Sequence, residues 1–82
     1  MEAILMINDK DSLNAINEAS SKSGKFGFLI IKTMEEIEGK LLQLGVMLLQ
    51  PISEIADKIR KIMSSQNSPK CGVAVIYKRP TP

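Results

Sequence analysis

Residues 34–63 carry the feature that most limits what this chain can fold into. Met34, Ile37, Leu41, Leu44, Leu48, Ile52, Ile55, Ile59 and Ile62 recur at steps of three or four, with Pro51 in their midst. On a helix of about 100° per residue they fall in one stripe about 80° wide. Glu36, Lys40, Gln43, Gln50, Glu54, Asp57, Lys58 and Lys61 take the opposite side. In a helix interior Pro51 forfeits the bond to the Met47 carbonyl and crowds it, at about 3 kcal/mol. It also biases Gln50 away from helical angles. Yet the stripe keeps its phase past the proline. No Gly or Asn cap stands directly before Pro51, and Gln50 is a poor N-cap. The pattern therefore predicts one long helix, from Met34 to about Ser65, kinked at Pro51.

Size presses on that helix. The chain has 82 residues, one domain's worth. An unbroken helix of about 32 residues would be about 48 Å long, whereas a compact domain of this size is about 30 Å across. The helix must bend around its own domain or carry an overhang that something else covers.

The stretch "LLQLGVMLLQPISE" (residues 41–54) adds a second demand. It is too short for a membrane span, which needs about 20 apolar residues. Leu42, Val46 and Leu49 lie off the main stripe, flanked on their side by Glu35, Glu38, Ser53 and Arg60. Either the rest of the chain covers them or a second copy does. Two such helices crossing antiparallel would match patch to patch, and would set Glu35 and Glu38 near Arg60 of the partner. A homodimer through the long helix is the reading taken.

Around this helix the chain reads as a small α/β protein. "EAILMIN" and "KFGFLIIK" are strands apolar on both parities, as is "CGVAVIYKR". Gly27 inside the second marks a bulge or close packing. "DSLNAINEASSKSG" is a short helix with a narrow stripe through Leu13 and Ile16, capped by Asp9 or Asp11. Thr33 and Glu36 form a capping box before the long helix. The order β-α-β-α-β, with helical connections, predicts a three-stranded, mostly parallel sheet. One domain spans residues 1–82, with 80–82 as a tail.

Composition removes most chemistry. There is no histidine and one cysteine, Cys71, which excludes the usual zinc patterns and the Ser-His and Cys-His nucleophiles. No phosphate-loop or dinucleotide motif occurs. The expectation is a non-enzymatic chain with no cofactor and no metal. The N-terminal segment lacks the basic start and apolar length of a signal peptide, and with a lone thiol this predicts a cytoplasmic protein.

Two further sets of residues invite a binding reading. Asn8, Asp9, Asp11 and Ser12, with Thr33, would sit at the carboxyl ends of the strands, where open sheets bind small ligands; helix capping and turn formation account for the same residues. Residues 1–57 carry nine acids and five bases, whereas Lys58, Arg60, Lys61, Lys70, Lys78 and Arg79 are the six bases of an acid-free remainder. Lys58, Lys61, Lys70, Lys78 and Arg79, with Tyr77 to stack, would form a nucleic-acid surface. A self-associating binding or regulatory module is the leading expectation, and nucleic-acid binding the alternative.

Overall fold

The computed structural model describes residues 2–80, so of the expected tail only Pro80 is included. Three strands, β1 (Ala3–Ile7), β2 (Phe26–Ile31) and β3 (Gly72–Lys78), form one sheet. Helix α1 (Lys10–Lys22) joins β1 to β2, and helices α2 (Ile37–Leu44) and α3 (Ile52–Ser64) join β2 to β3.

The sheet order is β1-β3-β2, and both pairings are antiparallel. The mostly parallel sheet is thus contradicted. The cause is the second correction: the long helix is not kinked at Pro51 but broken. α2 ends at Gly45, whose φ of +52° is open to glycine and rarely to any other residue. A single 3₁₀ turn follows over Gly45–Met47, and Leu48 is extended. Pro51 (φ −57°, ψ 141°) stands immediately before α3, with its fixed φ already suited to starting a helix. One helix between strands returns the chain parallel; two return it antiparallel. β1 and β2 do run the same way across α1, but β3 lies between them.

The apolar stripe survives on two helices. Ile37, Leu41, Ile55, Ala56 and Ile59 pack against Ile31, Val73 and Val75 on one sheet face. Met34, at the start of the stripe, is exposed. The other face is thinner: Ile16 of α1 meets Ile7 and Ala74, with Leu13, Phe28 and Ile30 at the margin. Gly72 (φ +105°) opens β3, and any Cβ there would run into the Ile31 carbonyl. Cys71 N–H also donates to Ile7 O at 2.8 Å, so Cys71 and Gly72 together face Ile7, as at a bulge. Gly27 is a site of close packing: the Tyr77 ring occupies the space its side chain would need. The expected capping box does not form. Thr33 makes no side-chain cap, while the Glu36 carboxylate reaches the Lys32 N–H at 3.2 Å. No helix among the described residues is long and apolar enough to cross a membrane.

Candidate functional site

The break between α2 and α3 makes a corner. The corner is held from beneath by Glu2. That carboxylate accepts from Leu49 N–H at 2.6 Å and Gln50 N–H at 3.3 Å, and Glu2 is buried. An ionised acceptor makes such bonds stronger than neutral ones. The corner backbone is therefore anchored while its aliphatic side chains point away from the core. Val46 is 101% exposed, Leu49 74% and Leu42 66%. The described residues do not cover them.

They line different depressions. Val46 and Leu49 line a shallow depression of about 320 Å³ with Met47, Lys78, Arg79 and Pro80. An adjoining one, about 250 Å³, shares Leu49 and Lys78 and adds Phe26, Ile76 and Tyr77. Leu42 lines a separate groove of about 210 Å³ between α2 and α3, beside Ile52, Ala56 and Arg60. Arg60 donates to Glu38 at 2.6 Å and to Asp57 at 3.1 Å within the same chain. Of the charged flanks, Glu38 and Arg60 thus already have one another, and Glu35 stays exposed.

The nucleic-acid set is dispersed. Lys58 reaches Gln50 (3.5 Å) at the corner, and Lys61 lies exposed on α3. Lys78 is near the corner, but Arg79 is spent on α1: its guanidinium donates to the Ser20 carbonyl at 3.1 Å and to that of Ser23. Tyr77 lies against Gly27. Lys70 sits at the other end of β3, where it lines a depression with Lys10, Lys32 and Cys71.

Asn8, Asp9, Asp11, Ser12 and Thr33 lie at that same end, all exposed. Asp9 is the N-cap of α1, accepting from Ser12 N–H at 2.7 Å. That bond holds its carboxyl below the usual aspartate range. The depression beside it is lined by lysines, not carboxylates. Among the described residues no three His, Cys, Asp or Glu side chains converge as metal ligands.

Sequence reasoning missed Glu2, the residue that fixes the corner. Its only signal was an acid directly before an apolar strand. It also missed Phe26 and Ile76, which looked like ordinary strand residues. No protein-family model, curated protein or solved structure matches this chain.

Proposed function

We propose that this chain is a small, non-enzymatic interaction module of the cytoplasm that self-associates through the corner between α2 and α3. The observation that carries the reading is the exposure of Val46 and Leu49 on a backbone anchored by the buried Glu2. Each such side chain gains about 1.5–3 kcal/mol when covered, and an anchored backbone loses little entropy on docking. A second copy supplies the same apolar surface, as a two-fold interface requires. The lone Cys71 thiol supports a reducing compartment.

Sedimentation velocity over a range of concentrations tests this. The wild-type chain should gain mass as concentration rises, and Val46→Glu with Leu49→Glu should lower it. Both positions are open to solvent, so the double variant should keep its helical circular dichroism. Equal masses for the two proteins at every concentration would sink the corner as a self-association surface.

A further inference from the structure

The two edges of the sheet are built differently. In an antiparallel ladder, alternate residues direct both backbone groups to one neighbour. Arg79 N–H donates to Lys25 O at 2.8 Å, and the register continues through Gly27–Tyr77, Leu29–Val75 and Ile31–Val73. The even-numbered residues of β2 therefore face outward, and that edge is obstructed. Lys40 Nζ, from α2, donates to the outward Ile30 carbonyl at 2.6 Å, and Glu36 holds the same lysine at 3.2 Å. A clamp of this kind discourages pairing with another strand.

Among the described residues the edge at β1 has no such clamp. Because Val73, Val75 and Tyr77 serve β2, Gly72, Ala74 and Ile76 serve β1, and their partners are Ile7, Leu5 and Ala3. The N–H and C=O groups of Ile4 and Met6 are left facing outward. Among the described residues nothing bonds to those four groups. The strand Ala-Ile-Leu-Met-Ile has no charge, proline or glycine. Leu5 is 45% exposed on one face and Met6 50% on the other. The charge just before it, Glu2, is turned away into the corner, and Asn8 just after it is neutral.

We propose that β1 pairs edge to edge with β1 of a second copy, antiparallel about a two-fold axis at Leu5, to give a six-stranded sheet. In that register Ile4 meets the partner's Met6 twice, and all four outward groups of each strand are matched. Moving the axis to Ile4 or Met6 leaves one of the two unmatched within the strand. The two Leu5 side chains meet across the axis, and each Met6 covers an Ile4. The edge is its own complement in hydrogen bonding, apolar character and neutrality, and this selects a second copy as the occupant. A strand of five residues buries less than the roughly 1,200 Å² of a standard interface, so the pairing is weak, with a Kd on the order of 10–100 µM. The inference goes beyond the corner reading and does not need it: the two-fold sets the two corners at opposite ends of the joined strands.

The test is made on the Val46→Glu, Leu49→Glu chain, where the corner contact is already removed. Sedimentation velocity from about 5 to 500 µM should show a monomer–dimer equilibrium. Adding Leu5→Lys sets two cations face to face at the axis and should weaken it at least about tenfold. Adding Met6→Pro removes an outward donor together with the side chain that covers Ile4, at a position where an edge strand tolerates proline, and should weaken it likewise. If Leu5→Lys fails to fold by circular dichroism, Met6→Pro and amide exchange on the unsubstituted strand decide. The Ile4 and Met6 amides should exchange roughly three- to sevenfold more slowly at the high concentration than at the low one, as the monomer fraction falls, and the Leu5 amide should not change. A corner variant that stays monomeric throughout overturns the proposal. So does a dimer that survives a folded edge variant while the Ile4 and Met6 amides exchange freely. Failure of the corner reading is separate, since it appears as identical masses for wild type and corner variant.

Discussion

Single glycines decide the course of this backbone. Gly45 has φ +52° and ψ −122°, a region where a Cβ is strained whatever space surrounds it. Gly39 lies inside α2, exposed, with nothing within 4 Å of the place a Cβ would take. The two should respond to alanine in opposite directions. Gly45→Ala should cost about 1–3 kcal/mol. Gly39→Ala should add about 0.5–1 kcal/mol, since glycine in a helix interior only adds disorder to the unfolded chain. Urea denaturation of both variants measures the difference. A destabilised Gly39→Ala, or a neutral Gly45→Ala, would contradict a helix that runs through Gly39 and ends at Gly45.

At the scale of elements, the turn leading into α2 stores a dependence on pH. Glu36 accepts from Lys32 N–H at 3.2 Å and lies 3.2 Å from Lys40 Nζ. The Lys32 bond first, then Lys40, hold its carboxyl below the usual glutamate range. A lowered folded pKa means stability that is present above the unfolded value and lost as pH falls through the folded one. Wild type should therefore melt higher than Glu36→Gln at neutral pH. That advantage should close as pH drops below about 5, because a protonated glutamate resembles glutamine. The capping of α1 by Asp9 is lost over the same acidic range, for the same reason and in the same direction. Melting curves of both proteins from neutral to acid pH check this, and a gap that widened toward acid would refute the assignment.

Element by element, much of this was legible and the arrangement was not. The three strands, α1, its Asp9 cap and the buried stripe of Ile37, Leu41, Leu44, Ile55 and Ile59 all follow from periodicity and capping chemistry. The break did not, because the stripe keeps its phase across two helices as well as along one. The stop signal was present in Gly45, but it lies six residues before the proline where a stop was sought. Strand order failed with it, since the number of helices sets the direction of β3. Nor did sequence distinguish a central strand from an edge: β1 and β3 are both apolar on both parities, yet only β3 has neighbours on both sides. The site suffered in the same way. The exposure of Leu42, Val46 and Leu49 was legible as an excess over the stripe, but which depression each lines depends on the break.

The whole molecule is two unequal cores on opposite faces of one sheet. Val73 and Val75 of β3 belong to the core under α2 and α3, and Ala74 between them to the core under α1. Neither core can open fully without exposing β3, so global unfolding should be a single transition. The halves differ in what holds them. The α2/α3 side buries five helical side chains against the sheet, whereas α1 contributes only Ile16, with Leu13 half-buried, and is tied down at its end by Arg79 to Ser20 and Ser23. Free energies of local opening follow the apolar contact that must be broken. In native-state hydrogen exchange, amides of β3 should therefore exchange only through global unfolding, with a denaturant dependence equal to that of the whole protein. Amides in the middle of α1 should exchange through a smaller opening, with a shallower dependence and less protection. Arg79→Ala should lower α1 protection further and change β3 protection by less, because the two carbonyls it binds belong to the helix end. Equal protection in α1 and β3, with equal denaturant slopes, would show instead that α1 and the sheet open as one unit, and that the single buried isoleucine and one arginine couple them more tightly than their burial implies.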